Sequence, residues 1–371
     1  MAIYKIFPEQ DSFIWSEQQT QNMGRDEILE ISTFDDPRPT EGNLNKIPSA
    51  TRALIKFKNS DINNVINNLI TTSSYVSYLK LSLANAEQLS QDYSLIVYPI
   101  SQSWTMGTGR LADIPKTTNG VSWTYCGSSG SGIFWQTSSY SAFVTSSDNG
   151  FQRGGGTWYY NYSATQSFDY TSNKDINFNV TNIVNQWKSS SFANDGFIVK
   201  YPNALEFNTS SIQKLSYFSM DTHTIYPPNL EFKWDDSKFI PGTSSIVNND
   251  GFITTIGNLQ QELQEQSVYR FKLYSRDQYP ARSFQTQSVY LNTKILPSSS
   301  YWALKDLNTE EMIIDFDTTY TKISANTSFN YFDVYVNGLE PERYYQIMVK
   351  TIIGEETIII ENPTYYFKVI R

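Results

Sequence analysis

Short apolar runs with the two-residue period of β-strands recur along this 371-residue chain, and they constrain its fold more than any other feature. Val, Ile, Tyr and Phe dominate these runs, and Gly, Asn, Ser, Asp or Pro clusters separate most of them. In the first 236 residues the runs are Ala53–Phe57, Ser77–Leu83, Leu95–Ile100, Gly196–Tyr201 and Leu230–Trp234. After residue 250 they are Val268–Arg276, Met312–Phe316, Tyr331–Val336, Tyr344–Thr351, Thr357–Glu361 and Tyr365–Ile370. This pattern predicts an all-β fold of sandwiches or barrels.

Two short segments instead have helical spacing. In Ser60–Ile70, apolar residues recur at the spacing of one helix face, and Ser60 is a candidate N-cap. In Val180–Trp187, Thr181 is a candidate N-cap and Trp187 belongs to the apolar face. We therefore expect two short amphipathic helices that cap a sheet, with the Trp187 ring closing one open end of a sandwich.

The segment Thr105–Gly156 is rich in Gly, Ser and Thr, yet aromatic residues interrupt it. Disordered linkers lack aromatic residues, so we expect long ordered loops that aromatic side chains pin to the core. These side chains are Trp104, Trp123, Tyr125, Phe134, Trp135 and Phe143.

The chain has one His (His223) and one Cys (Cys126), which limits the chemistry that it can support. An internal disulfide needs two cysteines, and structural zinc needs four Cys or His ligands. We expect Cys126 to be a small buried side chain and His223 to be satisfied or exposed to solvent in a polar turn. Carboxylate-only chemistry, as in glycosidases, stays open.

The net charge of −9 and the absence of a Lys/Arg run argue against nucleic-acid binding. The opening MAIYKIFPEQDSFIW lacks a basic segment followed by an apolar one, so we expect no signal peptide. No uncharged apolar stretch reaches the roughly 18 residues of a membrane span, so we expect a soluble protein without a membrane partner.

Four elements in the first 236 residues resemble the DNRLRE-type β-sandwich, a jelly-roll-like domain of bacterial surface proteins. They are IVYPISQSWTMGTGR (Ile96–Arg110), TNGVSWTY (Thr118–Tyr125), FNVTNIVNQWKSSSFANDGFIVKYP (Phe178–Pro202) and LSYFSMDTHTIYPPNLEFKW (Leu215–Trp234). The resemblance implies a jelly-roll-like sandwich over residues 1–236. The Pro-Gly and Ser/Asn/Asp content of Asp235–Asp250 favours a linker over residues 237–250.

The remaining residues, 251–371, carry enough predicted strands for one immunoglobulin-like sandwich. Their segment NGLEPERYYQIMVKT (Asn337–Thr351) resembles the corner of a fibronectin type III domain. In such a corner a tyrosine hydroxyl bonds back to the backbone. Leu339, Pro341 and either Tyr345 or Tyr344 would take the corner positions.

The whole chain resembles virion structural proteins of tailed bacteriophages, particularly marine or cyanobacterial myoviruses. The carrying segments are MAIYKIFPEQDSFIW, NMGRDEILEIS (Asn22–Ser32), DTHTIYPPNLEFKWDD (Asp221–Asp236), YRFKLYSRDQYPARSF (Tyr269–Phe284), LPSSSYWALKDLNTEEMIIDFD (Leu296–Asp317) and LEPERYYQIMVK (Leu339–Lys350). The resemblance implies a non-enzymatic part of a phage particle, assembled in the host cytoplasm. Capsid decoration, neck or collar, tail and fibre all remain open. Its partners would be other virion proteins and copies of itself in a symmetric array.

Candidate site residues are few. Arg276, Tyr279 and Arg282 form a possible interface, because Arg and Tyr are common interface anchors. An ordinary loop with an ion pair to Asp277 explains them equally well. We expect no cofactor, catalytic residue or metal ligand. A structural Ca²⁺ ion stays open at the acidic clusters, which have no diagnostic spacing. These clusters are Asp35-Asp36, Asp235-Asp236 and Glu310-Glu311. A solvated face explains them better than a Ca²⁺ site, and we expect Asp315 and Asp317 in a strand with one face toward water.

Two alternatives to a structural protein remain. The first is a carbohydrate-binding or receptor-binding module on the virion surface, which would recognise a host glycan through a line of exposed Trp or Tyr. The second is a carboxylate-based glycosidase or lyase, which needs two acids facing each other across a cleft.

Overall fold

The computed structural model describes residues 2–36, 47–87, 89, 92–136, 154–206, 213–248, 251–279 and 293–371. Strands dominate this part of the chain. Up to residue 236 they are β1 (Ala2–Ile6), β2 (Pro8–Trp15), β3 (Ile28–Asp36), β4 (Ile47–Phe57), β5 (Val76–Leu81), β6 (Leu83–Glu87), β7 (Tyr93–Pro99), β8 (Ala164–Phe168), β9 (Ile176–Asn179), β10 (Phe197–Lys200), β11 (Gln213–Phe218) and β12 (Asn229–Trp234). Thereafter they are β13 (Phe252–Ile256), β14 (Glu262–Gln264), β15 (Val268–Asp277), β16 (Ser300–Asp306), β17 (Met312–Ile314), β18 (Ser324–Ala325), β19 (Asn330–Tyr335), β20 (Tyr344–Ile353) and β21 (Glu356–Ile370).

These strands form four sheets, which confirms the predicted all-β class. One sheet has the order β1-β12-β5-β9. An eight-stranded sheet has the order β6-β11-β3-β4-β10-β7-β8, with β2 also paired to β4. The other two sheets have the orders β13-β15-β19-β18 and β14-β21-β20-β16-β17. The strand pairs with described registers are antiparallel except β14 with β21, which is parallel.

The chain divides into two compact units. The first unit contains 6–68 and 76–231, and the second contains 1–5, 69–75 and 232–371. The domain boundaries predicted above, at residues 236 and 251, stay a prediction. Within the second unit, the segment predicted as a linker bridges Phe239 to Ala325 and Ile246 to Ile295 through its backbone.

The first unit is a jelly-roll-like sandwich built on the eight-stranded sheet. On β4, β10 and β7, the residues Leu54, Ile198 and Tyr98 lie side by side in register, so they share one face. The neighbouring residues Ala53, Val199 and Val97 share the opposite face. All six side chains are buried, so layers of the protein cover both faces of this sheet.

Three short α-helices occur in the described residues, where the sequence predicts two. They are α1 (Asn59–Asn64), α2 (Thr181–Lys188) and α3 (Asn203–Glu206), and Val65–Leu69 continues α1 as a π-helix. The predicted N-caps were wrong. Lys58 precedes α1 and Val180 precedes α2, and neither makes a side-chain capping bond.

The apolar face predicted for α2 is buried. Ile183, Val184 and Trp187 are its buried residues, and the Trp187 ring packs against Phe197 with centroids 4.7 Å apart. The adjacent turn explains why Thr181 is not the cap. Its hydroxyl donates to Asn179 and accepts from the Ser77 backbone N–H, so it ties the helix to β5.

The second unit is an immunoglobulin-like sandwich. Its four-stranded sheet has the order of immunoglobulin strands A-B-E-D, and the facing sheet contains the C-F-G order in β16, β20 and β21. Trp302 on β16 is buried and stacks on Phe332 of the other sheet, with centroids 5.0 Å apart. The two runs predicted as separate strands, Thr357–Glu361 and Tyr365–Ile370, are one strand, β21.

The predicted tyrosine corner is present in this unit, and the open choice between two tyrosines falls on Tyr345. Its buried hydroxyl donates to the Glu340 carbonyl at 3.2 Å, and Leu339 is buried beside the corner. Tyr344 is exposed and makes no such bond to the corner.

Candidate binding surface

A layer of loops covers the outer face of the eight-stranded sheet in the first unit. It consists of the described parts of the chain between β7 and β8. Trp104, Trp123, Trp135 and Trp158 are buried beneath it against Leu54, Tyr98 and Ile198. The expectation of ordered loops with aromatic plugs is thus confirmed for Trp104, Trp123 and Trp135, and Trp158, which lies after the predicted segment, joins them. Tyr125 is half-buried, Phe134 is 56 % exposed, and Phe143 lies outside the described residues.

Asn22 holds the centre of the loop layer. Its amide nitrogen donates to the carbonyls of Met106 at 2.6 Å and Val121 at 2.8 Å. Its amide oxygen accepts from the Gly109 N–H at 2.8 Å. The backbone of this loop approaches so closely that a Cβ on Gly120 would lie 2.5 Å from the Gly107 Cα. The buried amide therefore fixes the loop backbone at several points.

A buried cluster of charges lies on the same sheet face. Arg52 Nε and Nη2 donate to the two Glu206 carboxylate oxygens at 2.6 and 2.8 Å. Lys200 Nζ donates to Glu206 at 2.5 Å, to Asn203 at 2.8 Å and to the Tyr201 carbonyl at 2.9 Å. Arg52, Lys200 and Glu206, hereafter the buried triad, are all essentially inaccessible to solvent.

Two tryptophans and one further bond complete the surroundings of the triad. The Arg52 guanidinium carbon lies 4.7 Å from the Trp123 ring centroid and 5.3 Å from that of Trp158. Arg52 also donates to the Gly155 carbonyl. The triad thus links β4, β10, α3 and the end of the loop layer.

The charges of the triad perturb one another. Burial alone would raise the pKa of Glu206, but Arg52 and Lys200 outweigh it and hold the pKa below its ordinary value. Burial outweighs the attraction of Glu206 and, together with the nearby Arg52 cation, lowers the pKa of Lys200 to about 8. Because all three Lys200 donors are used, the ammonium group has no donor left for a ligand. We assign the triad a structural role.

An open groove of about 450 Å³ lies beside β7 and β8. Asp92 and Asp169 are among its lining residues. Asp169 Oδ1 accepts from the Thr171 hydroxyl and from the Thr171 and Ser172 N–H groups, and these bonds lower its pKa. A glycosidase acid needs a raised pKa, so Asp169 does not fit that role.

Other candidates from the sequence are placed as follows. His223 is exposed in the turn between β11 and β12. Cys126 is buried, its sulfur accepts from Gln102 Nε2 at 3.2 Å, and burial raises the pKa of its thiol. The Cys126 sulfur bonds to Gln102 and Ile133 and not to His223, so the two residues do not form a Cys-His pair. Among the described residues, no group of three or more Cys, His, Asp or Glu could hold a metal ion.

Three aspartates in or near the acidic clusters accept hydrogen bonds from nearby backbone N–H groups. Asp315 and Asp317 follow β17 and do not lie in a strand. Asp317 Oδ1 accepts two turn N–H groups, and Asp235 Oδ1 accepts the Ser237 N–H. Asp315 Oδ1 accepts the Phe316 N–H. The side chains of Asp35 and Asp36 lie outside the described residues.

The possible interface Arg276, Tyr279 and Arg282 is described only in part. Arg276 is exposed at the end of β15, and Tyr279 is 80 % exposed. Arg282 lies outside the described residues. Asp277 pairs with Lys294 at 2.7 Å, a partner that sequence reasoning did not consider. The interface stays a prediction.

Sequence reasoning missed the Asn22 centre and the buried triad. One signal was available: Lys200 directly follows the apolar run Phe197–Val199 of a predicted strand. Asn22 offers no such signal because its partners follow it by more than 80 residues.

The described helices offer no candidate for a membrane span. No protein family and no curated protein matches this sequence.

Proposed function

We propose that this chain is a non-enzymatic structural protein that acts through protein–protein contacts as a component of a tailed-phage virion. The resemblance of its sequence to such proteins supports the assignment to a virion. The loop layer of the first unit supports a role in protein–protein contacts, and the proposal depends chiefly on this observation.

The loop layer combines a fixed backbone with exposed apolar tips. Ile114, at 97 % exposure, and Ile133 and Phe134, at 55 and 56 %, project from it. Asn22 and the four buried tryptophans hold the backbone beneath. A rigid loop loses little conformational entropy on association, and burial of apolar tips then contributes binding free energy.

The virion assignment is tested on particles. Mass spectrometry of purified particles of the phage that encodes this chain should detect it in a fixed ratio to the capsid and tail proteins. Its absence from intact particles would sink the assignment. Density for the two sandwiches in a particle map would then distinguish capsid decoration from neck, tail or fibre.

The contact surface is tested on the purified chain. We expect self-association in analytical ultracentrifugation, since most oligomers are symmetric assemblies of identical chains. The double variant Ile114→Ser/Phe134→Ser should weaken it at least tenfold. Ile359→Ser, a control on the second unit that is 53 % exposed, should leave it unchanged. Equal association of both variants would remove the loop tips from the proposal.

A carbohydrate-binding role is the second candidate, and one aromatic cluster favours it. Tyr159 stacks on Phe192 with centroids 4.3 Å apart, and Tyr162 packs on the same ring. Tyr160, which lies between them in the sequence, stacks on Tyr98 and is 57 % exposed. Trp15 is half-buried and the other seven tryptophans are buried, so a sugar would have to stack on tyrosine. A glycan array with the full chain and with Tyr160→Ala decides this role. A blank array with folded protein removes it.

A further inference from the structure

One face of the four-stranded sheet β13-β15-β19-β18 points away from the core of the second unit. In Phe271–Ser275 of β15 every second side chain is buried, so the residues between them lie on the opposite face. The registers place Ile253 of β13 opposite Arg276 and Tyr331 of β19 opposite Lys272, so these residues share that outward face. We call the outward positions of β13, β15 and β19 the basic face, and its charged members are Arg270, Lys272, Arg276 and Asp333.

The charges of the basic face do not balance. Arg270 Nε and Nη2 donate to the two Asp333 carboxylate oxygens, each at 2.7 Å, so this pair is neutral. The Arg270 guanidinium carbon also lies 4.5 Å from the Tyr331 ring centroid, which helps to hold the pair on the sheet. Within the described part of the chain, no carboxylate pairs with Lys272 or Arg276. The basic face therefore carries two uncompensated cations on a chain whose net charge is −9.

Aromatic rings support the Lys272 side chain. Its Nζ atom lies 5.1 Å from the Phe329 ring centroid, a distance at which a cation and a ring attract each other. Tyr274 packs against Phe329 with centroids 5.7 Å apart. The Tyr274 ring also covers Gly257, where a Cβ would lie only 2.4 Å from it. These side chains are thus held in place without a partner, so they lose little conformational entropy on binding.

Exposed aliphatic side chains flank the cations. Val268 is 52 % exposed, and Ile253, opposite Arg276, is 36 % exposed. Burial of such side chains contributes binding free energy when the partner covers them with apolar atoms. Arg and Tyr are also enriched in protein interfaces. The composition of the basic face therefore favours a polypeptide over a polysaccharide or a nucleic acid.

We propose that the basic face binds an acidic segment of another polypeptide, whose carboxylates pair with Lys272 and Arg276. These two residues are four positions apart on β15, which places their Cα atoms about 13 Å apart. An extended segment that runs along β15 repeats its own side chains at the same spacing, so carboxylates four residues apart reach both cations. The side chain midway between these carboxylates covers Tyr274. This inference rests on the proposed function, because it names the chemistry of one partner in the protein–protein contacts.

A labelled acidic peptide tests the basic face on the full chain. The probe is ESLSESLSE, in which glutamates are four residues apart and leucine lies midway between them. Fluorescence anisotropy at low ionic strength should show saturable binding, and added salt should weaken it because salt screens exposed charges. No saturable binding by the wild-type chain would overturn the proposal.

Two charge reversals locate the binding site. Lys272→Glu and Arg276→Glu should each lower the affinity for the peptide by about tenfold, since each replaces an attraction with a repulsion. Arg276 is exposed, so its variant tests the site even if Lys272→Glu disturbs the sheet. Wild-type affinity in Arg276→Glu would contradict the proposal.

The matched control is Lys350→Glu. Lys350 lies on β20 of the other sheet, where its Nζ atom is 5.8 Å from the Phe316 ring centroid. The variant changes the net charge as much as Lys272→Glu does, and it should keep the wild-type affinity. An equal loss in both variants would show that net charge alone governs binding, and the assignment to the basic face would then be wrong.

The class of partner is tested with two competitors and a reordered peptide. EEESSLLSS has the composition and charge of the probe without its spacing, and it should bind more weakly. Alginate, an acidic polysaccharide, and single-stranded DNA should displace the probe less well than the unlabelled peptide does at equal anionic charge. Equal binding of the reordered peptide, or equal displacement by either polyanion, would overturn an extended polypeptide as the partner.

Failure of this proposal is distinguishable from failure of the loop-tip contact. Ile114→Ser/Phe134→Ser should bind the peptide with the wild-type affinity, and Lys272→Glu should self-associate in analytical ultracentrifugation as the wild-type chain does. Loss of self-association in Lys272→Glu would place a second copy of this chain on the basic face, and it would overturn the assignment to another polypeptide.

Discussion

Single buried polar residues organise the first unit. The triad places two cations and one anion in the interior. It is tolerated because each Arg52 nitrogen and all three Lys200 donors have an acceptor, and because Arg52 stacks on two tryptophans. Desolvated charges of this kind do not by themselves stabilise a fold. Removal of one partner is costly, because it leaves the other charges buried without compensation.

Glu206→Gln tests this asymmetry. The variant leaves Arg52 and Lys200 as two uncompensated buried cations, so we expect a loss of about 3–5 kcal/mol in the free energy of unfolding. Urea denaturation at pH 7 measures it.

Glu342→Gln is the matched control, because Glu342 pairs with Lys368 at the surface. Surface pairs contribute little, so the control should unfold at the wild-type urea concentration. Equal midpoints for both variants would show that the triad is not buried as described.

At the scale of elements, the strand β20 illustrates how a local motif secures a sandwich. Tyr345, the second residue of this strand, donates its hydroxyl back to the Glu340 carbonyl, which closes the corner between β19 and β20. Its ring is buried and packs against the ring of Phe367 on β21, with centroids 5.8 Å apart. The corner thus joins a hydrogen bond to core packing.

Tyr345→Phe removes the hydroxyl but keeps the ring. We expect it to lower the unfolding free energy of the second unit by about 1 kcal/mol, the usual net value of one hydrogen bond. Tyr344→Phe is the control, since Tyr344 is exposed and takes no part in the corner. Hydrogen exchange of a peptide that contains Trp302 measures both. A larger loss of unfolding free energy in Tyr344→Phe than in Tyr345→Phe would show that Tyr345 is not the corner tyrosine.

At the scale of the whole molecule, the start of the chain belongs to the second unit. Ile3 is buried in the same core as Phe271 and Trp302. Asn337 Nδ2 donates to the Lys5 carbonyl at 2.9 Å, and Tyr4 packs against Tyr335. Residues more than 300 positions apart therefore complete one sandwich.

Ile3→Ala tests this arrangement. A cavity in the core of the second unit should cost about 2–5 kcal/mol. The loss should appear as reduced protection from hydrogen exchange in a peptide that contains Trp302. Ile359→Ala, at an exposed position of β21, should have little effect on that protection. A loss of protection confined to peptides of the first unit would contradict the assignment of Ile3.

The sequence by itself determined the all-β class, the apolar face of α2 and the tyrosine corner. Each is a short-range pattern, since strand period, helix spacing and the interval from Glu340 to Tyr345 all lie within a few residues. It also indicated that tryptophans pin the long loops, because aromatic side chains are costly to leave in water.

Only the tertiary structure decided which polar residues are buried and what they bind. Arg52 meets Glu206 across 154 residues, and Asp11 meets Met220 across 209. The local sequence around each is that of an ordinary strand or turn. A buried charge or amide is specified by partners that the fold brings together, so its role is visible only once the strands have been placed in register.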